Sequence, residues 1–142
     1  MSESEAKYEI VRAVLRAIGE QDVATLVELC DPNVEFVPTL AALEGRSYRG
    51  HDDMRRWIDE LSDHWEVFEP SAEEFHDLGK EVLALGGWHA RARESGTELA
   101  YRPAAWVARI ERSKVVRWRA YTDPTEALQA IGGLPEEPGR RT

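Results

Sequence analysis

The fold is decided by residues 79–121, which read GKEVLALGGWHARARESGTELAYRPAAWVARIERSKVVRWRAY. Apolar and polar residues alternate along much of this stretch, a period of two that is typical of β-strands. The predicted strands are 81–94, 98–110 and 114–122, and the connecting SGT and ERSK are short enough for hairpin turns. A weaker run over 66–77 contains Pro70, which an edge strand or a bulge would tolerate. Together these runs predict an antiparallel meander of four strands.

Helical patterns precede the strands. In residues 6–18, apolar side chains recur at i, i+3, i+4 and i+7, and Gly19 ends the pattern. Asp22 is placed to cap a second, shorter helix, and Pro32 follows just beyond its end. The clearest helix is 51–65, HDDMRRWIDELSDHW, which has acidic residues in its first turn.

Two short segments connect the second and third helices. VEFV, residues 34–37, is predicted to be a strand whose Glu35 and Phe36 point to opposite faces. We expect Phe36 to face the interior and Glu35 to face away from it. Residues 40–50, LAALEGRSYRG, show no clear period and contain two glycines, which indicates a loop.

After the strands, DPTEALQAIGG has the pattern of a capped helix. Asp123 can accept hydrogen bonds from the free amides, and Pro124 suits the first helical position. We predict one domain over residues 1–131 and a mobile tail over 132–142. Helices gathered on one face of an antiparallel sheet make an α+β fold. A strongly twisted sheet folded over helices leaves a cone-shaped cavity, and concave sites of this kind bind small molecules.

Composition excludes several classes of function. The net charge of −9 argues against nucleic acid binding, because phosphate contacts need clustered Lys and Arg. No apolar run approaches the roughly 20 residues of a membrane span, and MSESEAKYE lacks the apolar segment of a secretion signal. Cys30 is the single cysteine, which excludes an internal disulfide and favours a reducing compartment. From these features we expect a cytoplasmic protein. We also expect no metal or other cofactor, because zinc-site spacing and a glycine-rich phosphate loop are both missing.

Four stretches in this order resemble one family. They are GEQDVATLVELCDPNVEFVP, YRGHDDMRRWIDEL, GKEVLALGGWHARAR and VVRWRAYTDPTEAL. The chain resembles SnoaL-like proteins of the nuclear transport factor 2-like superfamily over roughly residues 6–131. The resemblance implies an α+β cone and a homodimer that packs through the outer face of its sheet. It does not fix the function, since the superfamily includes isomerases, hydrolases, cyclases, dehydratases and transport factors.

Residues at the superfamily's catalytic positions argue against two of its chemistries. The resemblance places Phe36, Val14 and Ala105 where ketosteroid isomerases carry their aspartate base and their Tyr–Asp oxyanion pair. It places Ala120 at an aspartate of limonene epoxide hydrolases. Apolar side chains can neither move a proton nor hold an enolate, so we predict that steroid isomerase chemistry is absent.

Two ionisable side chains remain as candidate acids or bases. Asp123 is the nearest counterpart of the base that SnoaL-type cyclases carry near the end of the last strand, but it also fits a helix cap. His89 lies inside an apolar strand beside Trp88, where it is a pocket acid or base, a hydrogen-bonded residue or a dimer contact. Cys30 is expected to be a small buried hydrophobe.

Five tryptophans are unusual for 142 residues. By analogy with the isomerase pocket, we expect five side chains to line the cone: Phe36, Trp57, Tyr101, Val107 and Trp118. Trp88 and Trp106 are expected on the outer face, at a dimer contact. The alternative is that all are ordinary core residues.

Three functions stay open from the sequence. The first is a protein that binds a small apolar or aromatic molecule in a cone-shaped pocket. The second is an enzyme of the cyclase, isomerase or dehydratase type that uses Asp123 or His89. The third is a non-catalytic dimeric interaction module. A buried polar group in an open cavity favours the enzyme, an apolar cavity favours binding, and a filled cone favours the module.

Overall fold

The computed structural model describes residues 2–38 and 45–132, and the predicted tail lies outside them except for Gly132. The helices in this part of the chain are α1 (Glu3–Glu20), α2 (Val23–Leu29), α3 (Gly50–His64) and α4 (Pro124–Ala130). The strands are β1 (Cys30–Val37), β2 (Tyr48–Arg49), β3 (Trp65–Asp77), β4 (Glu81–Ala92), β5 (Glu98–Glu111) and β6 (Lys114–Tyr121).

The strands form one sheet in the order β2-β1-β6-β5-β4-β3. Strands β3 to β6 make the predicted antiparallel meander, and β1 joins it by pairing in parallel with β6. Strand β3, which contains Pro70, is at the edge, as its weak pattern predicted. The predicted α+β architecture is confirmed.

Side-chain caps set where the first helices begin. Ser2 Oγ accepts a hydrogen bond from the amide of Glu5 at 3.0 Å, and Asp22 Oδ1 accepts one from the amide of Thr25 at 3.2 Å. The first helix runs one residue past Gly19, because Gln21 takes the left-handed conformation that ends it. Strand β1 begins directly at Cys30, the residue after the end of α2.

A short strand was missed in the segment predicted as a loop. Tyr48 and Arg49 pair with Phe36 and Glu35 of β1, and helix α3 follows at once. Two residues are too few for a period to show in the sequence. Residues 39–44 of the same segment lie outside the described part of the chain.

The two faces of the sheet are covered differently. Alternating residues of β4 separate into two clusters: Val82 and Ala84 pack in the main core with α1 and α3, whereas Leu83 packs with Ala127 of α4. We call the first face the interior and the second the outer face. The expectation that all helices lie on one face is wrong for α4, which covers part of the outer face beside β5 and β6.

A bulge reverses the faces of β5. Gly86 pairs with Ala104 and Trp88 pairs with Tyr101, so two steps along β4 match three along β5. The extra residue turns every following side chain to the opposite face. Tyr101 faces the interior as expected, and Trp106 also does, whereas Val107 points to the outer face.

Candidate functional site

Three of the predicted pocket residues meet in the interior. The ring centroid of Phe36 is 5.0 Å from that of Trp57 and 6.4 Å from that of Trp118. Phe36 is 0% exposed, Trp118 is 1% exposed and Trp57 is 7% exposed. Strands β1 and β6 and helix α3 therefore hold these three rings against one another, with Trp57 nearest the surface.

Very little empty space remains beside these rings. A cavity of about 10 Å³ is lined by Ile18, Pro38, Trp57, Phe68, Pro70, Trp106, Trp118 and Ala120. That volume holds about one water molecule. Not one of the eight lining residues is ionisable, so side chains of the described residues offer no acid or base to this space.

The sheet side of the interior is built from small residues. These are Ala84, Gly86, Ala90, Ala104, Ala108 and Ala120, and all are buried. Gly86 is required, because a Cβ there would lie 2.0 Å from the carbonyl oxygen of Ser71 on the neighbouring strand. Aromatic rings from the facing elements fill the space that these short side chains leave.

Val107 is the predicted pocket residue that the structure places elsewhere. It is buried on the outer face with Leu83 and Ala127, and the bulge accounts for the reversal. Trp106, expected on the outer face, lines the interior cavity instead. The GG and RP pairs at 86–87 and 102–103 were the signal for this bulge, since glycine and proline inside strands often mark one.

Trp88 also belongs to the interior, and its expected place at an outer dimer contact is wrong. Its ring stacks between Phe68 and Tyr101, with centroid distances of 5.4 and 5.6 Å. The Tyr101 hydroxyl donates to the carbonyl oxygen of Thr122. Trp88 Nε1 is buried and has no hydrogen-bond partner in residues 2–38 and 45–132.

Asp123 caps the last helix. Its Oδ1 accepts a hydrogen bond from the amide of Thr125 at 2.9 Å, and Pro124 occupies the first helical position, which confirms the predicted cap. The carboxylate is exposed to solvent and is not among the residues that line the interior.

His89 follows Trp88 on β4, so its side chain points to the opposite side of the strand from the Trp88 ring. Its Nδ1 is 3.6 Å from Glu69 Oε1, and its side chain is 49% exposed. His89 and Glu69 border a depression of about 490 Å³ that also includes Trp88, Tyr101 and Arg102. The Arg102 guanidinium donates to Glu73, which lowers the pKa of that carboxyl group. The charged side chains around His89 therefore form two pairs, His89 with Glu69 and Arg102 with Glu73.

Three of the four positions at which the family resemblance places catalytic groups hold apolar residues in the interior. Phe36 and Val14 are 0% exposed and Ala120 is 2% exposed. Glu35 points away from them and pairs with Arg117 at 3.1 Å, as its predicted orientation requires. Ala105 is on the outer face, so its assignment to an interior catalytic position is wrong; its interior neighbour, Ala104, carries no functional group either.

Cys30 and the remaining candidates have structural roles. Burial raises the pKa of the Cys30 thiol to about 12, which fits the predicted small hydrophobe and leaves little thiolate. His51 Nε2 donates to the carbonyl oxygen of Cys30 at 2.9 Å. Among the described residues, His, Cys, Asp and Glu form no group of three suited to a metal, and no helix is long and apolar enough to cross a membrane.

Comparison with solved structures shows the same fold in several other proteins. A protein of unknown function from Burkholderia pseudomallei, described as NTF2-like, is 22% identical, with a TM-score of 0.73 over 92% of this chain and 98% of that one. TerC co-crystallised with polyporic acid is 17% identical, with a TM-score of 0.71 over 90% and 99%. A putative polyketide cyclase from Xanthomonas campestris is 14% identical, with a TM-score of 0.70 over 92% and 99%.

Sequence comparison identifies the family. No curated protein matches the chain significantly. The model of the SnoaL-like domain matches residues 11–118, which include the second part of α1, the interior rings and the meander as far as Trp118. The chain therefore belongs to the SnoaL-like domain family.

Proposed function

We propose that this protein binds a small apolar, aromatic molecule in its interior and carries out no proton transfer there. The observation that carries the proposal is the composition of the interior: aromatic rings face a wall of alanine and glycine, and the lining residues include no ionisable side chain. Ligand pockets are lined mainly by apolar and aromatic side chains, and burying a charged ligand here would leave that charge unpaired.

Binding requires the interior to open, because small-molecule pockets usually enclose about 300–1,000 Å³. Trp57 is the ring best placed to move. It is 7% exposed, whereas Phe36 and Trp118 beneath it are almost completely buried. An aromatic ligand would occupy the space that the Trp57 indole leaves and would keep the contact with Phe36.

One structural relative supports the binding of aromatic compounds by this fold. TerC was co-crystallised with polyporic acid. At 17% identity the likeness extends to the fold alone, so the ligand class rests on the interior side chains of this chain.

Naphthalene binding to wild type and Trp57→Ala tests the proposal. Removing the indole opens a cavity in an apolar core, and such cavities bind benzene-like molecules whether or not the natural protein does. We expect wild type to bind naphthalene, with quenching of tryptophan emission, and Trp57→Ala to bind it more tightly. Binding by the variant alone would show that the interior is an ordinary core and would refute the proposal.

A non-catalytic dimeric module is the second candidate, and the small size of the 10 Å³ cavity favours it. It predicts a dimer that binds no naphthalene as wild type. The enzymatic alternative has less support, since Asp123 and His89 are both exposed to solvent and neither lines the interior.

A further inference from the structure

A second groove lies where helix α1 begins. It is lined by the first two turns of α1 and by the tips of the β3–β4 and β5–β6 hairpins, and its volume is about 310 Å³. The interior cavity touches α1 at Ile18, near the other end of the helix, and no described residue lines both spaces. The groove is therefore separate from the interior.

Hydrogen bonds join the three parts of the groove. Lys7 Nζ donates to the carbonyl oxygen of Gly79 at 2.7 Å and lies 3.2 Å from Asp77 Oδ1. The amide of Ile110 donates to the carbonyl oxygen of Lys80 at 3.1 Å. The first contact fixes α1 to the β3–β4 turn and the second fixes that turn to β5, so the groove has a defined shape without a ligand.

Two exposed cations of the groove are left without a carboxylate. The side chains of Lys80 and Arg112 make no hydrogen bond or ion pair with any described residue. Lys7 is paired with Asp77, and the groove also contains the carboxylate of Glu3. Setting these two carboxylates against the three cations leaves one net positive charge, in a chain whose overall charge is −9. Such a site attracts a single negative charge.

The turn that carries Arg112 is strained. Glu111 pairs with Lys114, so Arg112 and Ser113 form a two-residue hairpin loop, with φ angles of 52° and 63°. A type I′ turn needs this left-handed region at both positions, and Asn-Gly adopts it at the least cost. A side chain with a Cβ is disfavoured there, and strained backbone of this kind clusters at functional sites. The turn thus presents a guanidinium and a hydroxyl to the groove at the expense of stability.

The floor of the groove is aliphatic. Ile10 and Ile110 are partly buried and pack against the main core. No aromatic ring is among the described residues that line the groove. The groove therefore combines a cationic rim with a floor that suits a hydrocarbon chain.

We propose that this groove binds a monocarboxylate with a short aliphatic chain, at a second ligand site that is independent of the interior. The carboxylate accepts from Arg112 and Lys80, and the chain lies along Ile10 and Ile110. A guanidinium matches the two oxygens of a carboxylate. One negative charge balances the groove, whereas a phosphate group with two charges leaves one of them unpaired.

Octanoate and 1-octanol test this assignment, because they share a chain and differ in charge. Both are titrated into ¹⁵N-labelled protein at low salt, so that the amide shifts give the affinity and the location together. The variants are Arg112→Gln, Lys80→Gln and Arg16→Gln. Arg16 is the matched control, because it is also exposed and without an ion pair to a described residue, and it lies on α1 outside the groove.

We expect octanoate to shift the amides of the two hairpin turns saturably and to bind wild type more tightly than 1-octanol does. Arg112→Gln and Lys80→Gln should each weaken octanoate binding about two- to fivefold, the range of one exposed ion pair, and leave 1-octanol unchanged. Arg16→Gln should change neither affinity. The double variant Arg112→Asn/Ser113→Gly should unfold at a higher urea concentration than wild type and bind octanoate as weakly as Arg112→Gln.

The possible results separate this site from the interior. Selective weakening of octanoate binding in the groove variants supports the proposal. It is overturned by shifts confined to residues that line the interior, by equal weakening in Arg16→Gln, by full affinity in the double variant, or by the lack of a saturable shift with octanoate. Each of these failures leaves the interior binding function standing, because naphthalene tests that function separately.

Discussion

Removing the carboxylate of Asp123 should destabilise helix α4 and leave the interior unchanged. Asp123 Oδ1 accepts from the amide of Thr125 at 2.9 Å, while its carbonyl oxygen accepts from the amide of Glu126 at 3.0 Å. Asp123→Ala removes the first bond and keeps the second. The first amide of the helix is then left to water.

The expected loss follows from the exposure of the cap and the packing of the helix. Replacing an N-cap residue by alanine costs about 0.5–2 kcal/mol. We expect the free energy of unfolding to fall by about 1 kcal/mol. Water can reach the exposed amide, which limits the loss. Fraying of the helix adds to the loss, because it loosens Ala127, which is buried against Leu83 and Val107. In a chain of this size the loss corresponds to a decrease in Tm of roughly 4 °C.

Urea unfolding combined with amide hydrogen exchange measures both parts of this effect. Asp123→Asn keeps an acceptor oxygen and should restore most of the stability. Asp22→Ala is the matched control, because it removes the cap of α2, whose carboxylate accepts from Thr25. Asp123→Ala should speed exchange in α4, and Asp22→Ala should speed it in α2 instead.

Unchanged stability and unchanged exchange in Asp123→Ala would refute the capping role. A different result would support a catalytic role for Asp123. If a turnover assay were found and Asp123→Asn abolished activity by roughly 10²–10⁴-fold at unchanged Tm, Asp123 would be acting as a base.

Three further predictions concern pH, reactivity and assembly. The hydrogen bond from Arg102 lowers the pKa of Glu73 in the folded state, so its stabilisation is present above the unfolded carboxyl pKa and is lost as pH falls through the folded value. Glu73→Gln should therefore be less stable than wild type at pH 7 and equal to it at pH 2 in urea unfolding; a difference independent of pH would contradict this cause. Cys30, whose pKa is raised to about 12 by burial, should resist iodoacetamide at pH 8 until urea unfolds the chain, and rapid labelling of the folded protein would disprove its burial. We expect a homodimer through the outer face of the sheet, and a monomer by light scattering at tens of micromolar would exclude it.

Elements whose periodic pattern extends over many residues could be predicted from the sequence. Strands β4 to β6 and helix α3 lie within a few residues of their predicted bounds, because each repeats its pattern over eight residues or more. Strand β2 has two residues and shows no pattern of its own. It exists because Tyr48 pairs with Phe36 and its hydroxyl donates to Glu60, contacts that a local reading of the sequence does not contain.

The site was predicted in part, and the bulge explains the largest error. Phe36, Trp57 and Trp118 come together as expected, since each belongs to an element whose buried face is clear from its period. The faces of Trp106 and Val107 depend on how β5 aligns with β4. Register is set by pairing between strands, so one extra residue near Pro103 inverts the pattern without changing the alternation itself.

Phe36 accounts both for the apolar lining and for the small volume of the interior in the part of the chain that the structure describes. The family resemblance places this residue where ketosteroid isomerases carry their catalytic aspartate, and its ring contacts both Trp57 and Trp118. A carboxylate there would need solvent or a donor beside it, because an unpaired buried charge is strongly unfavourable. A phenyl ring instead fills the space and stabilises the two indoles around it. The apolar side chain at this position therefore also helps to leave room for only about a single water molecule, and we propose that a ligand gains access by displacing the outermost ring, Trp57.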